Sequence, residues 1–369
     1  MDFRDELAAE VIGELSRQGA ELGRYLPDQF AVEVCKPLTG LMLLDNLYAA
    51  VRADPSARGE LVAKAVTRFL VPDVPVVAWD EARDRLRPLL RHATIGQDPV
   101  VAPVPLLRRP ALPFLVELVV VDHPDTMQYV TADIATGSFG VREEQVFEAA
   151  RQALKARALA LSAPNQAGVL HLSDDSGDAY LISHLLVDGW LAGLAGAVGG
   201  RPVAFVPDTT TLLVGADDRD TLEQMFTTAA DIYTGRPKSL SPMGYTVDGA
   251  GRVVPYEAPA GDPLRRLVKR ADVLLARDVY AEQKRILDRD EDTMEIVSAY
   301  TAMQKPDGEI FTYAPWPCGD TTLLPAVDLV IVVDSDGTTS AVPLAQLLAE
   351  GQVEEAVEYH PVRYRTLTS

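Results

Sequence analysis

Apolar side chains recur every four residues at the start of the chain, at Phe3, Leu7, Val11 and Leu15, with Asp5, Glu6, Glu10 and Glu14 between them. That spacing predicts an amphipathic helix over residues 3–15 with its acids in water. Residues 30–34 and 41–44 are two short β-type runs joined by Lys36-Pro37-Leu38-Thr39-Gly40, a turn composition, and predict a hairpin. After Asp45-Asn46-Leu47-Tyr48 a helix runs to a break at Asp54-Pro55-Ser56, where Ser56 is placed to cap the next helix, over 58–70.

The pattern then changes. Pro72, Pro75, Pro88, Pro99, Pro103, Pro105, Pro110 and Pro113 crowd residues 71–113 around one helical interlude at 79–90. Because proline removes an amide donor and fixes φ, this stretch predicts a connector that wraps the surface. In residues 114–121 only Glu117 interrupts an apolar run, which predicts a strand buried on both faces and central to its sheet. A turn at Asp122-His123-Pro124-Asp125 and a short strand follow. Thr131 then caps a helical turn that Gly137 and Gly140 end, and Val146, Ala150, Ala153, Leu154 and Ala158 form the apolar stripe of a helix.

Residues 169–172 and 179–185 flank Ser173-Asp174-Asp175-Ser176-Gly177-Asp178 and predict a second hairpin. A helix over 190–198 ends on Gly199-Gly200, strands occupy 203–206 and 211–214, and a helix over 217–233 carries Leu222, Met225, Phe226 and Ala229 on one side. Residues 235–262, rich in Pro, Gly and Ser, predict a linker with a short ribbon around 245–256. Beyond it stand a helix over 263–287 and two hairpins, 295–304 with 309–313 and 328–334 with 338–342. A helix over 344–350 and a polar tail complete the chain. Helices alternating with antiparallel hairpins make the fold class α+β. Three helix-plus-hairpin units are expected, over 1–100, 101–250 and 251–369, with the Pro-rich connector after the first.

Composition narrows the function classes. Across 369 residues, 34 Lys and Arg against 54 Asp and Glu leave a formal charge of −20, which repels phosphate backbones and anionic lipid, so neither nucleic acid nor a membrane is an expected partner. The N-terminus carries acids where a secretory leader carries Lys or Arg, and no apolar run reaches the roughly 18 residues of a membrane span. The only two cysteines, Cys35 and Cys318, are too far apart in sequence to suggest a disulfide framework or a metal knuckle. A cytoplasmic location is the expectation.

Three groups of residues could carry chemistry. His123, flanked by Asp122 and Asp125, could be held in one tautomer as a general base, although Asp-His-Pro-Asp is also the composition of a tight strand connection. The Pro-rich stretch holds Arg83, Arg85, Arg87, Arg91, Arg108 and Arg109, a basic cluster in an acidic chain that suits an anion or an acidic peptide, or simply a solvated face. His171 and His184 lie on the two arms of the second expected hairpin, where cross-strand pairing would bring them near Asp174 and Asp175 as metal ligands, or leave them as paired surface residues. Asp288, Asp290 and Asp292 imitate the start of a calcium loop, but Thr293 and Ala299 stand where that loop needs Gly and Glu. G-x-S-x-G, H-E-x-x-H and phosphate-loop motifs are all missing, and no cofactor is implied.

Four segments resemble the YtpQ family, a widespread bacterial family of unknown function. They are Asp45-Asn46-Leu47-Tyr48, the stretch 114–154 with its VVVDHPDTMQYVTADI, Tyr280-Ala281-Glu282-Gln283 and Leu324-Pro325-Ala326-Val327-Asp328-Leu329. Arg142 stands where that pattern has a Ser or Thr cap, and Lys155-Ala156 where it has Asn-Leu. The resemblance implies a cytoplasmic bacterial α+β protein and transfers no functional residue. Hairpins, amphipathic helices and a basic connector without catalytic motifs point to a non-enzymatic protein- or peptide-binding scaffold. The competing expectation is a hydrolase of a small molecule or peptide with Asp122, His123 and Asp125 as its general base.

Overall fold

The four-residue period at the N-terminus becomes α1 (Phe3–Arg17), which buries Leu7, Val11 and Leu15. The structure, a computed structural model, describes residues 3–27, 30–36, 40–70, 78–98, 104–123, 127–157, 168–173, 180–235, 238–290 and 292–367. The expected hairpin forms as β2 (Ala31–Lys36) and β3 (Gly40–Leu43), with an added edge strand, β1 (Glu21–Leu26). No residue of β1 is buried, so it leaves no apolar alternation to read. Helices α2 (Asp45–Ala53) and α3 (Arg58–Leu70) close a core around Leu7, Val32, Val51 and Val66. The cap between them is Asp54 rather than Ser56: its carboxylate accepts from the amides of Ser56 at 3.1 Å and Ala57 at 3.3 Å.

The Pro-rich stretch is a sheet where a connector is expected. The helical interlude shrinks to α4 (Trp79–Ala82) and a 3-10 turn (Arg83–Arg85), and residues 86–90 instead begin β4 (Leu86–His92), with Leu86, Leu89 and Leu90 fully buried. Strand β5 (Arg108–Leu112) lies on the other side of β6 (Leu115–Asp122), and β7 (Met127–Tyr129) continues that side beyond β5. Pro88 and Pro110 are tolerated because β4 and β5 are edge strands, where a missing amide faces away from the ladder. Pro72, Pro75, Pro99 and Pro103 lie outside the described residues. Every residue of β6 from 115 to 121 is buried, as its apolar run predicts. The ladder from β4 to β6 joins residues on either side of position 100. Thr131 Oγ1 accepts from the amide of Ile134 at 3.2 Å and starts a π-turn (Ile134–Ser138). Helix α5 (Glu143–Lys155) then lays Val146, Phe147 and Ala150 over one face of the sheet.

The next sheet differs from expectation twice. Strand β8 (Leu170–Ser173) pairs with β10, and the described part of its expected partner run forms instead a 3-10 helix (Leu181–Leu186) buried at all six positions. An apolar run this short, buried all round, carries no period that separates strand from helix. A 3-10 turn (Ala192–Leu194) leads into α6 (Ala195–Val198), and Gly199 at φ 78° stops it. Strands β9 (Pro202–Asp208) and β10 (Thr211–Ala216) and helix α7 (Arg219–Gly235) match the pattern read from sequence. The expected linker is the second correction: β11 (Ser239–Val247) is an interior strand in the order β12-β11-β9-β10-β8, with β12 (Val253–Pro255) at the edge. Its Pro242 falls within a register shift between Ser241 and Gly244. A Cβ on Gly244 would meet Phe205, Tyr256 and Val203 at 3.1–3.3 Å, so turn-like residues here serve a bulge and a close strand approach. Helix α8 (Leu264–Leu287) packs on α7 and β11.

Two further sheets complete the α+β fold: β14 (Thr301–Gln304), β15 (Ile310–Pro317), β17 (Leu329–Val333) and β18 (Thr339–Pro343) in one, and β13 (Ile296–Val297), β16 (Thr322–Pro325), β20 (Arg363–Thr366) and β19 (Val353–Ala356) in the other, with α9 (Leu344–Ala349) before β19. Both expected hairpin turns are present. The expected polar tail is β19 and β20, and Arg363 within it is fully buried. Its guanidinium donates to Gln283 Oε1 at 2.7 Å, to the carbonyls of Ser298 and Leu323 at 3.0 Å each, and to that of Tyr280 at 3.3 Å. Burial pushes its pKa down to about 10.

Truncating Arg363 strands four buried acceptors, and Arg363→Ala is expected to cost about 3–5 kcal/mol in urea denaturation; a loss below about 1 kcal/mol would contradict the role given to it. A second expectation concerns pH. Burial lowers the pKa of His92, whose Nε2 lies 2.5 Å from the Leu240 carbonyl, and of His360. The unfolded chain, with ordinary values near 6.5, takes up protons that the folded protein refuses. The stability these residues contribute is therefore present above that value and lost as pH falls through the folded-state values. The urea midpoint should drop between about pH 7.5 and about pH 5.5, with a shallower drop in His92→Gln; equal slopes for the two proteins would refute it.

Candidate functional site

Alternate residues of a strand share a face. Register places Arg87 of β4 opposite Val120 of β6, and Val120 opposite Tyr129 of β7. Arg87, Tyr129 and Asp122 therefore share one face at the end of β6, and Arg91, opposite Val116, stands on the same face four residues further back along the strand. The 3-10 turn before β4 adds Arg85, whose Nε donates to the Asp122 carbonyl at 3.0 Å and whose Nη2 meets His123 Nδ1. Tyr180 donates its hydroxyl to Asp122 Oδ1 at 2.8 Å, and Arg87 Nε lies 3.9 Å from Oδ2. Burial lowers the pKa of Arg91, whose Nη1 donates to the Leu90 carbonyl at 2.8 Å and whose charge lies near the Tyr129 and Tyr180 phenols. Arg157, just past α5, lies 5.8 Å over the Tyr180 ring. Four guanidinium groups thus gather around the Asp122 carboxylate and two phenols.

This geometry settles which nitrogen of His123 carries the proton. A guanidinium has donors and no acceptor, so Nδ1 offers its lone pair to Arg85 and the ring proton resides on Nε2. Nε2 is buried and has no hydrogen-bond partner among the described residues. Asp122 is engaged by Tyr180 and Arg87, so it does not orient the imidazole as a triad carboxylate would. Asp125 lies outside the described residues.

The remaining candidates go elsewhere. Arg83 is exposed, 3.6 Å from Asp84. Arg108 donates to the carbonyls of Ala93 at 2.9 Å and Ile95 at 3.3 Å, and Arg109 turns to the opposite sheet face to pair with Glu117. The basic cluster of the sequence is thus split across two faces by strand alternation. His171 sits in β8 opposite Leu213, while His184 is buried in the 3-10 helix with Nδ1 3.0 Å from the Leu181 carbonyl. The two are not cross-strand partners, and Asp174 and Asp175 lie outside the described residues. Among the described residues no group of three or more His, Cys, Asp or Glu side chains is arranged to hold a metal ion. Tyr129, Tyr180 and Arg157 escaped sequence reading because no local motif ties them to Asp122. Only the pairing of β7 with β6 and the docking of the 3-10 helix bring them in.

Comparison with protein-family models, with curated proteins and with solved structures finds no match to this chain.

The tautomer is directly measurable. Nitrogen-15 NMR of the imidazole at neutral pH should show His123 with its proton on Nε2, and Arg85→Met should remove that bias; an Nδ1–H form in the unaltered protein would overturn the site geometry.

Proposed function

We propose that this is a non-enzymatic cytoplasmic binding protein that recognises a short acidic segment of a protein or peptide at the Arg85, Arg87 and Arg91 rim. The observation that carries the reading is the gathering of oriented guanidinium groups there, more numerous than the carboxylates among the described residues. Arginine presents planar forked donors that match a carboxylate, and the half-buried Tyr129 phenol beside them supplies apolar contact with a polar tip. The chain's charge of −20 opposes a long polyanion, but salt screens charges beyond about 8 Å, so one or two carboxylates seated at the rim feel mainly the local cations. A hydrolase built on Asp122, His123 and Asp125 fits less well, because a general base needs a free lone pair aimed at substrate, and the lone pair of His123 is turned to Arg85.

Fluorescence anisotropy with a labelled peptide carrying two glutamates, against its glutamine counterpart, tests the reading. The acidic peptide should bind at least tenfold more tightly, and the double substitution Arg87→Gln with Arg91→Gln should erase the difference without lowering Tm by more than a few degrees. Equal binding of the two peptides would remove the proposal.

A further inference from the structure

The opposite face of the same sheet carries a second arrangement, independent of the rim. Glu117 in the middle of β6 has no solvent exposure. Arg109, directly across the ladder on β5, donates from Nε to Glu117 Oε2 at 2.7 Å, and Arg151 of α5 grips both oxygens, Nε to Oε1 at 2.8 Å and Nη2 to Oε2 at 2.6 Å. The Arg109 guanidinium also lies 4.1 Å over the Phe147 ring. Two cations are thus fixed in place by one buried anion, leaving a net positive charge whose geometry is set before any ligand arrives.

Both arginines line a cleft of about 380 Å³ with Glu144, Glu148, Lys155 and Asp188. That volume falls within the ~300–1,000 Å³ usual for small-molecule sites. Along α5 the stripe runs Glu144, Glu148, Arg151, Lys155, spacings of four, three and four that keep all four on one helix face. Its first half is acidic and its second half basic, with their centres about 10 Å apart along the axis at 1.5 Å per residue. The side chains of Glu144, Glu148, Lys155 and Asp188 make no hydrogen bond or ion pair with a described residue, so these charges are not spent on one another. Arg151 feels Asp188 only as a nearby charge.

Along the α5 wall the cations stand at one end and the carboxylates Glu144 and Glu148 at the other, with Asp188 near Arg151, and the two arginines there outnumber it; this arrangement suits a ligand with both charges at matching separation. An extended chain advances roughly 3.3–3.6 Å per residue, so a free tripeptide places its termini about 10 Å apart. We infer that this cleft binds a short zwitterionic peptide of two or three residues, its C-terminal carboxylate at Arg109, Arg151 and Lys155 and its N-terminal ammonium at Glu144 and Glu148.

Isothermal titration of the full chain with trialanine, N-acetyl-trialanine and trialanine amide tests this. Trialanine is expected to bind, with either blocked form at least tenfold weaker. Glu148→Gln, on an exposed helix position, should abolish the penalty for acetylation, and Lys155→Gln the penalty for amidation. The rim substitutions Arg87→Gln and Arg91→Gln should leave trialanine binding unchanged, which separates failure here from failure of the acidic-segment reading. Absence of trialanine binding overturns the inference, as does equal binding of trialanine and its N-acetyl form.

Discussion

A carboxylate with no access to water sits in the centre of the middle sheet, and much of the surrounding structure follows from it. Leaving Glu117 unpaired would cost several kcal/mol, so β5 must bring Arg109 and α5 must bring Arg151 in the same folded state. A slip of one residue along β6 would turn Glu117 to the other face, where Leu118 and Val120 belong to the large apolar core. The ion triad thereby fixes the register of β6 and the docking of α5 together. Register then determines what stands at the end of the strand: Asp122 and His123 emerge beside Arg85 and Arg87 because Glu117 is held where it is.

A different solution to the same problem holds the C-terminal part. Arg363 is as buried as Glu117, but its contacts are the Gln283 amide oxygen and three backbone carbonyls, with no carboxylate among them. Neutral acceptors solvate the guanidinium without offsetting its charge, which is why burial moves its pKa down rather than up. The knot is widened by Tyr280, whose hydroxyl donates to the Val362 carbonyl at 2.8 Å and accepts from the amide of Ala326 at 3.1 Å, and by Gln283, which donates to the Pro361 carbonyl at 2.9 Å. Segments 280–283 and 324–329 are thus joined through buried polar groups, and their side chains serve packing and hydrogen bonding rather than chemistry.

What could be read from sequence divides along a physical line. Long helices with a clear apolar stripe, such as α1, α7 and α8, and hairpins closed by Lys305-Pro306-Asp307-Gly308 or Ser335-Asp336-Gly337, declare themselves through local spacing and turn chemistry. The elements whose local pattern misleads are those whose identity depends on partners. Strands β4 and β11 contain proline and glycine that mean linker in isolation and edge or bulge in a sheet, and the buried run 181–186 has no period at all. The site shows the same division. Asp122 and His123 were visible as a polar turn after an apolar strand, and the arginines as a basic cluster. Their sorting into two faces needed the register, and Tyr180 needed the tertiary contact.

That sorting matters for recognition, since the two faces treat the same residue type in opposite ways. Arg109 and Arg151 share one buried anion whose grip fixes their direction, and the acids beside them on α5 keep the neighbourhood mixed in sign. Arg85, Arg87 and Arg91 instead meet, among the described residues, one half-exposed carboxylate, an imidazole, backbone carbonyls and phenols. Coulomb attraction weakens as a competing counter-ion approaches, so an incoming carboxylate gains more at the rim than beside Glu117 unless it brings a cation of its own. The four-stranded sheet and the helix over it therefore place arginines on two faces with different surroundings, one beside a buried carboxylate and mixed surface charges, the other beside Asp122 and phenols.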